Sequence, residues 1–190
     1  MPRTINSLGA FFGGLPSEIQ QELLKRPARR HLTPDGIEGT LKRGRFVWDS
    51  VYRPFSDKLS DKLAMSHPDL PVFIIQGEYG ALFSDPPNPA MDPDVVPNIG
   101  RVLMSILAVA TLRTQTGVGP QVVSHVFGLR KAYEDGTAEA EPPVEGGKWL
   151  ASDEGNVWLI EHIDRIAAAL NEGGNSGFAP GMTKEPKAKL

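Results

Sequence analysis

Apolar residues recur at three- and four-residue steps along most of this chain, and helix-start signals precede those runs. No stretch alternates convincingly between apolar and polar residues, and no internal repeat is visible. These observations predict an all-α protein, a bundle of about seven helices. The 190 residues are 40% hydrophobic and 23% charged, ordinary proportions for a chain that buries a core. One helical domain over residues 1–170 is expected, followed by a disordered tail over 171–190, where Gly, Pro and Lys prevail.

Ser17 can cap a short helix over 18–25, and Pro27 ends it. Thr33-Pro34-Asp35-Gly36 reads as a cap with proline in the first turn. Ile37, Leu41, Gly44, Trp48 and Val51 then form one stripe of an amphipathic helix that Arg53-Pro54 breaks. Phe55, Leu59 and Leu63 mark a second, wet on the side of Asp57, Lys58, Asp61 and Lys62. His67-Pro68-Asp69 is a turn, and the run from Leu70 to Phe83 is apolar enough to be buried, with Glu78 its only charge. Ser84 to Pro97 holds five prolines and reads as an extended loop.

Asn98 to Thr114 is hydrophobic nearly all round, which places it at the centre of the bundle. Pro120 opens the next helix, which runs to about Glu134. Asp135 to Gly147 is an acidic, Gly/Pro-rich surface loop. Ser152-Asp153-Glu154 caps a last amphipathic helix through Val157, Ile160, Ile163 and Leu170.

Composition excludes several chemistries. Cysteine is absent, so there is no disulfide, thiol nucleophile, iron–sulfur cluster or cysteine-ligated zinc. The four histidines lack ligand spacing, and no metal site is expected. A net charge of −3 and short, interrupted basic clusters give no pull toward nucleic acid or an anionic membrane. No run approaches the roughly 18 apolar residues of a membrane span, and residues 1–14 lack the apolar core of a secretory signal, so the cytoplasm is the expected location. Dinucleotide-binding, Walker and nucleophile-elbow motifs are all missing.

The most informative segment is Gly117 to Gly128. Gln121 and His125 stand at i and i+4 on one helix face, and Gly128 leaves room one turn on. An imidazole titrates near neutrality, so His125 suits general acid/base work, with Gln121 orienting it or binding a carbonyl; the alternative is a half-buried ring bonded to a backbone carbonyl. Glu78, among apolar neighbours, either carries a raised pKa or pairs with a cation. Arg101 and Arg113 flank the central helix; either can neutralise Glu78, clamp a carboxylate, or simply face solvent. Tyr79, beside Gly80, can put a phenol into a cavity or merely pack. His31, His67 and His162 lie on polar segments and read as structural.

Glu78-Tyr79-Gly80 with Ser84 and Pro86, Arg101 opening an apolar helix, and Gln121-Val122-Val123-Ser124-His125-Val126 together resemble the carboxymuconolactone decarboxylase family, over about residues 43–132. The chain is similar to its cysteine-free, fungal-type members. Two departures stand out: Asp85 and Gln121 occupy positions where the family carries arginine and glutamate. Its peroxidase branch works through a C-x-x-C pair, and this chain has Val118 and Gln121 there.

The resemblance implies an alkyl hydroperoxidase D-like helical bundle that self-associates. It also implies a cofactor-independent lyase of secondary metabolism, a decarboxylase or proton-transfer isomerase acting on a small carboxylic acid or lactone. In that scheme His125 and Glu78 are the catalytic acid/base pair, Arg101 holds a carboxylate, and Gln121, Tyr79 and Ser124 bind the substrate. Two other readings stay open: a non-catalytic oligomeric helical ligand-binding protein, and a hydrolase or cyclase of a biosynthetic pathway at the same site.

Overall fold

A computed structural model describes residues 2–171 apart from 27, 29, 84–98, 116 and 142. Among the described residues every regular element is helical, so the all-α expectation holds. The loop expected over 84–97, including Ser84, Asp85 and Pro86, lies outside the described residues, as does the tail beyond residue 171. The chain divides into two compact units, one of Met1–Ala28 with Ala167–Leu190, the other Arg29–Ile166.

In the first unit, α1 (Pro2–Gly13) and α2 (Ser17–Leu24) meet at a turn where the Gln20 side chain donates to the Leu15 carbonyl at 2.7 Å. Helix α1 has no counterpart in the sequence reading, because its apolar patch was too short to show a period.

The second unit begins with a 3-10 turn (Pro34–Gly36) that feeds α3 (Ile37–Tyr52). It continues through α4 (Ser56–Ser66), α5 (Asp69–Val72), a π-helix (Phe73–Phe83), α6 (Gly100–Arg113), α7 (Gly119–Glu134), α8 (Gly147–Leu150) and the part of α9 (Asp153–Asn171) up to Ile166. Proline stands in the first turn of α7, and the Ser152 hydroxyl accepts the Gly155 N–H at 3.1 Å to cap α9.

Helix α3 packs along the π-helix and against α7, and α6 pairs with α7. The α3–π contact is backbone on backbone. A Cβ on Gly44 would lie 2.5 Å from the Ile75 carbonyl oxygen and 2.6 Å from the Gly80 backbone, so only glycine permits this approach. Here the expected α3 stripe needs correcting. The buried face is Thr40, Gly44, Trp48 and Val51, whereas Ile37 and Leu41 are exposed. Close approach at Gly44 brings Gly80 over the Thr40 carbonyl, so the face that meets the π-helix carries Thr40 and not Leu41.

The run from Leu70 to Phe83 is also less buried than its composition suggests: Val72, Phe73 and Leu82 are exposed, while Pro71, Tyr79 and Gly80 are buried. Helix α6 buries Val102, Met104, Ser105, Ala108 and Val109 but leaves Leu103 and Leu107 exposed, so it is a one-sided rather than a central helix. Two apolar clusters hold α6, α7 and α9 together. One joins Val102, Leu129, Ala132, Ala138 and Ala151; the other joins Val109, Val122, Leu159 and Ile163; Ile106 and Leu150 touch both.

Candidate active site

Four side chains from three elements meet inside the second unit. Trp48 and Tyr52 stand at i and i+4 on α3, Tyr79 comes from the π-helix, and His125 lies on the buried stripe of α7. The Tyr52 and Tyr79 hydroxyls are 3.1 Å apart, and His125 Nε2 is 3.3 Å from the first and 3.2 Å from the second. Packing fixes this triangle. Trp48 stacks at a tilt on Tyr52 with centroids 4.3 Å apart, meets Tyr79 edge-on at 5.3 Å, and donates its own N–H to the Ser56 carbonyl at 3.2 Å. Phe83 closes the other edge of Tyr79, with centroids 5.5 Å apart.

His125 is only 3% exposed, and its Nδ1 is buried with no partner among the described residues. Burial, and then the positive charge of Arg101, push its pKa from the ordinary 6.5 down to about 4, so the imidazole is neutral at pH 7. Burial likewise raises both phenols above their ordinary range, and the Glu78 carboxylate adds to the shift of each. At neutral pH the triangle therefore holds three uncharged groups and works as a set of hydrogen-bond donors and acceptors.

One proton arrangement leaves no N–H unpaired. His125 Nε2–H donates to Tyr79, Tyr79 O–H donates to Tyr52, and the Tyr52 O–H is the free end of the chain.

The triangle forms one wall of a cavity of about 400 Å³. Leu59, Leu63, Ile74, Leu82 and Leu112 supply its apolar lining; Glu78, Gln115 and Gln121 bring the other polar groups. Glu78 is half-buried there and makes no ion pair among the described residues. Gln121 is exposed and sits where the cavity opens, one helical turn from His125. The cavity thus brings together His125, Glu78, Tyr79 and Gln121.

Two further residues expected at the site lie elsewhere. Ser124 donates to the Pro120 carbonyl at 2.9 Å and lines a different hollow, of about 600 Å³, with Lys58, Lys62 and Phe127. Arg101 is buried, 4% exposed, and its fork is spent on the fold. Its Nε donates to the Ser50 hydroxyl at 2.8 Å, one terminal nitrogen to the Ser105 hydroxyl, and the other to the carbonyls of Gly128 at 2.8 Å and Ser50 at 3.4 Å. The room that Gly128 leaves is taken by this guanidinium: a Cβ there would sit 3.0 Å from it.

Arg101 thereby ties α3, α6 and α7 together and acts on His125 through its charge. Arg113 makes a bidentate pair with Asp164 of α9 at 2.7 and 2.8 Å, away from the cavity. His67 accepts the Asp69 N–H, and His162 stacks on Trp158.

Tyr52 and Trp48 are the site residues that sequence reasoning missed as such. Their i, i+4 spacing, continuous with Thr40 and Gly44, was the available signal, but Trp48 reads equally well as core, and nothing local says where a phenol points. Among the described residues no group of His, Asp or Glu side chains is arranged to hold a metal ion. No family model, no curated protein and no solved structure matches the chain.

Proposed function

We propose that this chain is an enzyme that moves a proton beside a carbonyl on a small molecule bound in the 400 Å³ cavity. The observation that carries the reading is the uncharged Tyr52–Tyr79–His125 triangle sharing a largely apolar cavity with the Glu78 carboxyl group. Removing a proton next to a carbonyl leaves negative charge on the carbonyl oxygen, and a fixed donor in a dry site stabilises that charge best. The Tyr52 O–H at the end of the hydrogen-bonded chain suits this role, with Tyr79 and His125 polarising it from behind.

Glu78 is the group in the lining suited to take the proton. The C–H bond breaks toward the carboxylate, its electron pair moves to the carbonyl oxygen as an enolate, and the proton returns to the same carbon or to a conjugated one. His125, neutral and buried, acts here as a positioning residue. This chemistry draws only on the chain's own side chains. The resemblance to carboxymuconolactone decarboxylases fits the same enolate chemistry, with a lactone or related carbonyl compound as substrate and self-association of the chain.

Proton exchange tests the reading. A panel of cyclic ketones, enones and lactones incubated with the protein in deuterated buffer should show α-deuteration by NMR, slowed about a hundredfold or more by Tyr52→Phe and by Glu78→Gln. If panel members bind and none exchanges, the catalytic reading fails and a ligand-binding module remains. That second reading is favoured by one observation: among the described residues no cation lines the cavity to fix an acidic substrate.

A further inference from the structure

We propose, resting on the proton-transfer reading of this cavity, that its substrate enters uncharged: a ring-sized ketone, enone or lactone, with the matching carboxylate excluded by Glu78. Among the described residues no lysine or arginine lines the cavity, and Glu78 is the one carboxyl group that does. The candidate cation from the sequence, Arg101, spends its donors on Ser50, Ser105 and the Gly128 carbonyl and does not line the space. Lys58 and Lys62 line the neighbouring hollow with Ser124, Phe127 and Lys131; the two spaces share Tyr52 and Leu59 as walls, and the cavity itself presents leucines and aromatic rings.

A carboxylate entering such a space gives up its hydration, gains no counter-ion, and meets a like charge in a medium that screens poorly. A neutral carbonyl gives up little and gains the Tyr52 hydroxyl. Residue choice at the rim agrees. Gln121 offers an amide, which bonds to a carbonyl or hydroxyl without demanding charge. Glu78 therefore does two things: it is the base, and it is the filter that keeps acids out.

The test uses the full chain and two probes of nearly equal size, 2-acetylnaphthalene, an uncharged ketone, and 2-naphthoate, titrated by fluorescence at pH 7.5. The ketone is expected to bind about 30-fold tighter than the acid or better, equivalent to about 2 kcal/mol. Glu78→Gln should narrow that ratio to a few-fold by improving naphthoate. Gln121→Lys, at an exposed position that leaves the core intact, should improve naphthoate independently. Equal or tighter binding of naphthoate to the native chain, with Tyr52→Phe weakening both probes, overturns the charge inference and leaves the proton-transfer site standing. Failure of both probes to bind, or indifference of both to Tyr52→Phe, removes the site and the inference together.

Discussion

A buried neutral histidine leaves a signature in stability. His125 has a pKa near 4 in the folded chain against 6.5 for the free side chain. Between those values the unfolded chain holds a proton that the folded chain refuses, so stability falls as the pH drops from about 6.5 toward 4 and is flat above that window. The linkage amounts to about 2.5 kcal/mol between pH 7.5 and 4.5. Urea unfolding of the native chain and of His125→Gln at both pH values checks it: the native chain should lose that much more than the variant, and parallel losses would mean that the ring is charged when buried.

Arg101 contributes to the same shift from behind. Arg101→Met should raise the His125 pKa, read by NMR titration of the ring, because a like charge is gone. It should also destabilise the fold by about 3 kcal/mol, because the Gly128 carbonyl and two serine hydroxyls lose their donor. A substrate clamp would show neither effect. The sequence marks Arg101 as the arginine that leads into the apolar helix, and of the two flanking arginines it is the buried one. What it cannot show is that Ser50, 51 positions earlier, waits to receive the fork.

At the scale of elements, the contact of α3 with the π-helix sets the distance between Tyr52 and Tyr79. Gly44→Ala puts a methyl into the Gly80 backbone and should cost about 2–3 kcal/mol or more, since backbone cannot swing aside as a side chain does. Gly119→Ala, where a Cβ meets nothing within 4 Å, is the control and should be neutral or slightly stabilising. Thermal unfolding of the two variants separates them, and equal behaviour would mean that the helices are not seated as described.

Most of these elements are legible in the sequence because their ends carry chemistry: Thr33-Pro34, Pro120 and Ser152 place three helix starts within a residue or so of where they stand. The π-helix is not legible. Phe73 to Phe83 is apolar on nearly every side, so no polar stripe reports how many residues complete a turn. The winding decides that Tyr79 is buried in the cavity wall and Glu78 is half-buried beside it. The sequence therefore offers both residues as candidates without their division of labour. Helix α3 misleads for a related reason: Leu41 continues the pattern of Trp48, but tertiary contact at a glycine outweighs the pattern.

At the scale of the molecule, the unit Arg29–Ile166 balances two demands on α6. One side fills both apolar clusters through Val102 and Val109; the other leaves Leu103 and Leu107 in solvent, 40% and 45% exposed at i and i+4. Helix α7 repeats the pattern with Val123 and Phe127, also i and i+4 and also exposed. Scattered apolar residues on a surface need no explanation, but Leu103 and Leu107 stand one turn apart on the exposed side of α6 and make a short apolar strip. The self-association proposed above gives this strip an occupant, a second copy of the chain.

Sedimentation of the native chain should then show a dimer or larger species. Leu103→Glu with Leu107→Glu should shift it toward monomer without lowering helix content, because neither side chain belongs to the clusters. A native chain that sediments as a monomer at high concentration would remove the oligomer and leave the strip unexplained. The cavity carries no residue from that strip, so the tyrosine triangle should keep its ligand whichever way the sedimentation falls.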